Sequence, residues 1–174
     1  MTEAFLSLGS NIEPEKNLLE TVRLLSHSVK ILKASTVYLT KPLQQKRQPE
    51  YYNCVLKIET DIEPRMLKFD VLRTIEAELG RKRSKDKFAS RTIDIDIILY
   101  GNLAVSTKDM TIPDPDIRER AFLAIPLFEI EPDLMLPVTN EPIREVAARF
   151  EKPEIKELKC FTEALQSLVR GLGV

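Results

Sequence analysis

Arg91-Thr92-Ile93-Asp94-Ile95-Asp96-Ile97-Ile98-Leu99-Tyr100 decides how the rest of this chain is read. The alternation puts Ile93, Ile95 and Ile97 on one face of a strand and Asp94 and Asp96 on the other. At the usual strand rise the two aspartate Cα atoms lie about 6.6–6.8 Å apart. Aspartate is depleted in strands, and two like charges on one face repel. A divalent cation, or a pair of them, relieves that repulsion; a solvated outer face is the alternative. Just upstream, Arg81 to Arg91 holds six basic residues and one acid, Asp86. Guanidinium forks poised over paired carboxylates suit a metal–polyphosphate complex. Phosphoryl transfer asks a protein chiefly for positioning and charge neutralisation. The combination points to chemistry on a nucleoside triphosphate.

On the N-terminal side, Phe5, Leu6 and Leu8 read as a strand that ends at Gly9-Ser10-Asn11. Pro14 opens a helix with Leu18, Leu19, Val22, Leu25 and Val29 on one stripe, and His27 falls within it. Ile31 to Thr40 is rich in β-branched residues and predicts one further strand. Lys41 to Glu50, with Pro42 and Pro49, predicts a long loop of the kind that carries function. Tyr52, Cys54, Leu56 and Ile58 alternate with polar neighbours as a half-buried strand. Tyr51 and Asn53 then share its opposite face, where a planar ring can stack on the tyrosine and meet the amide. A surface tyrosine and a strand-end asparagine are the bland alternative, and Phe122 reads as core on its own. A second helix starts near Glu63, turns Met66, Leu67, Val71, Leu72, Ile75 and Leu79 inward, and stops at Gly80.

Beyond the decisive strand, Gly101-Asn102 is expected to fold it back on Leu103 to Ser106 as a hairpin. Past Thr111 the pattern breaks into proline-punctuated loops and short helices, with a last helix near Phe161 to Arg170. The order strand, helix, strand, strand, helix, strand predicts an α+β fold. Its core is a ferredoxin-like βαββαβ unit with a mostly antiparallel sheet, an added hairpin strand and C-terminal helices. Residues 1–174 are expected to form a single domain.

Composition removes other chemistries. Lys and Arg number 26 against 27 acids, so net charge drives no general binding to nucleic acid. The longest uncharged apolar run, Ala121 to Phe128, is far short of a bilayer span. Cytoplasmic location without a membrane anchor is the expectation. Two cysteines, Cys54 and Cys160, make no disulfide framework and are expected to be small buried residues. A single histidine excludes histidine-rich zinc sites, and 5 glycines hold neither a P-loop nor a dinucleotide fingerprint. Any metal must therefore be held by carboxylates, which favours Mg²⁺ or Mn²⁺.

Several pieces together resemble the 6-hydroxymethyl-7,8-dihydropterin pyrophosphokinase family. They are Leu8-Gly9-Ser10-Asn11, Gln48-Pro49-Glu50-Tyr51-Tyr52-Asn53, Gly80-Arg81, Arg91 to Ile97, Tyr100-Gly101-Asn102 and Ile125-Pro126-Leu127-Phe128-Glu129. The Arg-Thr-x-Asp-x-Asp-Ile segment is specific; the others are weak alone and strong jointly. The resemblance implies transfer of pyrophosphate from ATP to the pterin hydroxymethyl oxygen, with release of AMP, in folate biosynthesis. It implies two Mg²⁺ ions on Asp94 and Asp96, with Arg81 and Arg91 stabilising the transferring group. Glu76, Arg83 and Phe88 fall on the nucleotide side, with adenine near the backbone of Ile97 and Thr111. Tyr51 and Phe122 would sandwich the pterin, Asn53 and Asp94 would bond it, and Thr40 and Leu43 would line its pocket. The partners implied are ATP and a small pterin, with a monomeric protein and no nucleic acid.

The chain departs from the family pattern at several positions. Pro113-Asp114 stands for Pro-His, Asp109 replaces a common basic residue, and Phe88-Ala89-Ser90 stands where Trp-Gly-Pro is usual. The acids imply weaker ATP binding than in relatives with the histidine. Three alternatives stay open: a nucleic-acid-binding module on the same sheet, another Mg²⁺-dependent phosphoryl or nucleotidyl transferase, or a non-catalytic relative disabled by Asp109 and Asp114.

Overall fold

A computed structural model describes residues 1–45 and 47–173. The chain runs β1 (Thr2–Ser10), α1 (Pro14–Leu25), β2 (Lys30–Ala34), β3 (Tyr38–Thr40) and β4 (Tyr51–Thr60). A helical segment follows in three parts: α2 (Pro64–Met66), a π-helical turn (Leu67–Leu72) and α3 (Arg73–Glu78). Then come β5 (Asp94–Tyr100), β6 (Val105–Ser106), β7 (Thr111–Ile112), a 3₁₀ turn (Pro115–Ile117), α4 (Ala121–Ile130), α5 (Ile143–Ala148), β8 (Ile155–Glu157) and α6 (Lys159–Leu172). The main sheet has the order β5-β1-β4-β3-β8, with β2 also on β4, and every pairing in it is antiparallel.

Strand alternation sorts side chains into two cores. Leu6, Leu8, Leu56, Ile58 and Ile95 face a layer of α1, the α2–α3 segment and α6, meeting Leu18, Leu72, Ile75 and Leu165. Phe5, Val55 and Leu99 face α4 and α5, meeting Leu123, Leu127 and Val146. Each fully buried leucine or isoleucine contributes about 1.5–3 kcal/mol by leaving water. The register of β5 on β1 skips one residue at Ile98, so Ile97 packs with the first core while Ile98 and Leu99 pack with the second. That bulge leaves the Ile98 carbonyl to accept the Asp114 amide at 2.9 Å.

Several local expectations need correction. The segment 31–40 is two strands, because Ser35 turns inward: its hydroxyl accepts from the Val55 amide at 2.9 Å and breaks the ladder. His27 lies in the turn after α1, whose last carbonyls are already taken by Ser26, His27 and Ser28. Met66 is 53% exposed rather than inward, because the π turn that follows shifts the apolar face to Leu67 and Leu72. Val105–Ser106 does not return onto β5; it pairs with β7 through the Thr107–Met110 turn as a separate two-stranded sheet. Cys54 is buried as expected, but Cys160 is exposed on α6. The short β8, which extends the sheet edge beyond β3, has no signal in its sequence. Among the described residues no helix is long and apolar enough to cross a membrane.

Candidate active site

Gly9, Asn53, Asp94 and Asp96 sit at one end of the sheet, on the face that α4 and α5 cover only in part. In β5, Asp94 stands opposite Gly9 and Asp96 opposite Ser7 on β1, while Gly9 also stands opposite Asn53 on β4. Three adjacent strands, with β5 at the sheet edge, thus bring these separate sequence segments into contact. Gly9 is needed for space: a Cβ there would lie 2.9 Å from the Asn53 side-chain oxygen. Gly9→Ala is expected to displace that amide and cost about 1–2 kcal/mol, read as a lowered melting temperature; an unchanged melting point would show that the contact yields freely.

Ser10 and Asn11 fix the entry to β5. The Ser10 hydroxyl donates to the Thr92 carbonyl at 2.5 Å, and Asn11 exchanges two bonds with the Arg91 backbone, at 2.8 and 3.1 Å. Gln48 donates to the Phe88 carbonyl at 2.7 Å and so ties the 41–50 loop to the 81–91 loop. These three positions were legible only as motif letters; their shared task is to hold Arg91 and Phe88 over the strand.

The α3 terminus places the next cation. Gly80 adopts φ +81°, Gly80 N–H donates to Ala77 and Arg81 N–H to Glu76, which folds the Arg81 side chain back across the helix end. Arg81 pairs with Glu76 and, at 2.7 Å, with Asp94; Arg91 reaches the other Asp94 oxygen at 2.7 Å. Arg83 joins Glu76 at 3.0 Å, and the same carboxylate accepts from the Ile95 amide at 3.3 Å. Burial pushes the Glu76 carboxyl up, and the Arg81 guanidinium pulls it part of the way back. Of the six bases in this loop, Arg81, Arg83, Lys87 and Arg91 line cavities, while Lys82 and Lys85 face solvent.

Asp96 differs from its neighbour. Among the described residues no donor reaches its carboxylate. Water has access to it, yet protein encloses it on most sides, and desolvation pushes its carboxyl up to about 7. The charges of Asp94, Asp114 and Glu76 push the same way, and Lys68 opposes them. The pair therefore keeps the repulsion that its spacing implied, with only Asp94 neutralised by protein.

Three cavities meet at Asp96. One, of about 250 Å³, is walled by Thr40, Leu43, Tyr51, Asn53, Phe88 and Phe122 and also reaches Asp94. A second, of about 260 Å³, is bordered by Ile97, Thr111, Asp109 and Asp114. The third, of about 220 Å³, is lined by Glu76, Arg81, Arg83, Arg91 and Asp94. Every site residue that the family resemblance implied thus borders at least one of the three. Phe122 belongs to both readings: it is half-buried, packs against the second core and lines the first cavity. Asn53 is oriented by its bond to the Thr40 hydroxyl at 2.6 Å. Lys68, Arg73 and Asp116 were not anticipated; the first two lie on a helix with no motif, and Asp116 lies in the weakly patterned region.

Both unexpected acids are partly accommodated. Asp109 pairs with Arg65 at 3.2 Å and its carbonyl accepts from Lys68, which ties the β6–β7 turn to α2. Asp114 caps the 3₁₀ turn by accepting the Asp116 amide at 2.9 Å, but it still lines the first two cavities.

Residues 5–132 match the profile of the 7,8-dihydro-6-hydroxymethylpterin-pyrophosphokinase (HPPK) family. The chain is 39% identical over 153 residues to the 2-amino-4-hydroxy-6-hydroxymethyldihydropteridine pyrophosphokinase of Haemophilus influenzae, covering 86% of this chain and 94% of that protein. The protein of the same name from Aquifex aeolicus is 36% identical over 146 residues, covering 83% of this chain and 90% of its own length. The folic acid synthesis protein fol1 of Pneumocystis carinii is 40% identical over 150 residues, but the match spans 85% of this chain and only 20% of that longer protein. Among solved structures, Plasmodium falciparum HPPK-DHPS superposes with a TM-score of 0.69 at 14% identity, over 86% of this chain and 45% of that one. That likeness concerns the mixed fold with its antiparallel sheet. With the profile covering most of the chain and near full-length relatives above 35% identity, the chain belongs to the 7,8-dihydro-6-hydroxymethylpterin-pyrophosphokinase family.

Proposed function

We propose that this chain transfers pyrophosphate from ATP to the hydroxymethyl oxygen of 6-hydroxymethyl-7,8-dihydropterin and releases AMP, a step of folate biosynthesis. One observation carries the site assignment: Asp96 borders an aromatic and amide-lined cavity, a cavity beside Ile97 and Thr111, and a guanidinium-lined cavity at once. In this reading the pterin lies between Tyr51 and Phe122, with Asn53 on its hydrogen-bonding edge and Thr40 and Leu43 at its margin. Adenine meets the Ile97 and Thr111 backbone, and Phe88 closes the loop over the triphosphate. Arg81 and Arg91 would exchange Asp94 for phosphate oxygens as the nucleotide enters. Glu76 and Arg83 hold Arg81 in place meanwhile.

The donor set suits Mg²⁺. Asp94 and Asp96 share one face, and among the described residues Asp96 has no protein donor and no third carboxylate, histidine or cysteine completes a cage there. The remaining ligands would be phosphate oxygens and water, as this ion prefers. Bound by these residues, two Mg²⁺ ions would supply charge neutralisation across the triphosphate. The protein's own part is orientation: reacting oxygens must be held in line, and the strand places both carboxylates beside the pterin cavity.

The strand order, with β1 between β4 and β5 and helices α1 and α3 on one face, supports a ferredoxin-like βαββαβ core. Residues 1–174 would work as one pyrophosphokinase domain, a cytoplasmic monomer on two small substrates; sedimentation near the monomer mass tests the last point. A nucleic-acid module would show salt-dependent oligonucleotide binding without Mg²⁺, and none is expected.

The primary test is nucleotide analysis after incubation with ATP and Mg²⁺, with and without the pterin. AMP that appears only with pterin, and without ADP, is the expected result. ADP, or AMP independent of pterin, would overturn the reaction. Asp114→His is expected to tighten ATP binding, because an acid bordering the phosphate path is removed. An unchanged or weaker ATP dissociation constant would show that Asp114 does not oppose the nucleotide.

A further inference from the structure

The cleft contains a guanidinium that the reading above leaves unused. Arg81, Arg83 and Arg91 all have carboxylate partners in Glu76 and Asp94. Arg73, which lines the same cavity, has none among the described residues. Its buried Nε–H also finds no acceptor there. A desolvated donor without a partner is costly, which is how a site preset for an anion looks before the anion arrives. The guanidinium is not loose: it stacks on the half-buried Phe69 ring, 4.2 Å from the ring centroid.

The π turn explains its placement. The Arg73 amide donates to the Lys68 carbonyl, five residues back. In an α-helix five residues make about 1.4 turns and point two side chains apart. The wider π turn instead brings Lys68 and Arg73 to one wall. Both line the cavity that holds Asp94 and Asp96, and Lys68 stands close enough to act on the Asp96 charge.

We infer that Lys68 and Arg73, aligned by the π turn, form an anion clamp for the phosphate chain of the nucleotide, with Arg73 setting its affinity; this rests on the reading of the cleft as an ATP site. Arg81 and Arg91 approach from the loop wall, Lys68 and Arg73 from the helix wall, and the chain of phosphates lies between them. Phe69 is the positioning residue, since it keeps the guanidinium plane in one orientation.

The test is calorimetric titration of the full chain with Mg²⁺-ATP and with inorganic tripolyphosphate, for wild type, Arg73→Met and Arg73→Lys. Methionine keeps the stem over Phe69 and removes the charge. It is expected to weaken both ligands roughly tenfold or more and to flatten their salt dependence, with pterin affinity unmoved. Lysine is expected to recover part of the loss, and the ATP KM to change more than kcat. Affinities of Arg73→Met within about twofold of wild type for both ligands would overturn the clamp. So would equal losses in the methionine and lysine variants, which would mark a packing role. The two levels separate cleanly: tripolyphosphate binding lost in Arg73→Met, in a wild type that makes no pterin-dependent AMP, would sink the reaction and keep the clamp.

Discussion

Asp96→Asn is expected to lose at least about three orders of magnitude in turnover, roughly 4 kcal/mol of transition-state stabilisation, while the protein becomes more stable. The two effects have one cause. Without metal, the Asp96 charge is held in an enclosed position against Asp94, Asp114 and Glu76, and its carboxyl is pushed up to about 7. Its value in the unfolded chain is near 3.8. Between those limits the folded protein holds a proton that the unfolded chain releases. Its contribution to stability is therefore present at low pH and lost as pH rises through about 7. The raised Glu76 and Asp114 carboxyls act in the same direction. Asparagine removes the Asp96 part of that slope, so the variant should melt well above wild type at pH 8, less far above it at pH 5, and nearly level with it below about pH 4. Asp94→Ala should lose turnover as severely but with the opposite stability sign, because Arg91 loses its carboxylate partner and Arg81 is left with Glu76 alone. Melting curves across pH, alongside AMP formation, check all of this. Near-normal turnover in both variants would exclude metal binding by the pair.

Glu76→Ala is expected to be the most destabilising single change in the site, by about 3 kcal/mol. Glu76 is 3% exposed and its carboxylate takes Arg81, Arg83 and the Ile95 amide. Truncation leaves the Ile95 amide without its acceptor and the buried Arg81 guanidinium with Asp94 alone, and the wall that orients Arg81 is gone. For a chain of this size the melting temperature should fall by roughly 6–12 °C. The ATP KM should rise while the pterin KM changes little, since Glu76 borders only the guanidinium-lined cavity. Glu76→Gln keeps the shape and one acceptor, so it should fall between the two. A loss under about 1 kcal/mol in the alanine variant would show that solvent replaces the carboxylate readily.

The elements with a period of their own were legible without coordinates. The isoleucine and aspartate alternation in Asp94–Tyr100, the apolar stripe of α1 and the glycine stop after α3 each state a local preference that no neighbour overrides. The split of residues 31–40 was not legible, because the break comes from the Ser35 hydroxyl meeting a strand that arrives 20 residues later. The hairpin was misplaced for a similar reason: Gly101-Asn102 fits a turn, but partner choice for Val105–Ser106 depends on Thr111–Ile112 and on the bulge at Ile98. Motif letters such as Ser10, Asn11 and Gln48 carried no chemistry by themselves, since their tasks are bonds to backbone 40 to 82 residues away.

The sequence by itself determined the paired carboxylates on one strand face, the basic loop beside them, the scarcity of histidine and cysteine, and family membership through ordered motifs. Those properties are local in the chain and need only its periodicity and composition. Tertiary structure decided the rest. It determined which guanidiniums neutralise Asp94 and left Asp96 repelled. It turned Asp109 outward to Arg65, kept Asp114 at the cavity edge, and made one wall of Lys68 and Arg73. Each of these depends on how closely charges from distant segments approach, and Coulomb energy varies with that distance and with enclosure from water, neither of which a linear order of residues contains.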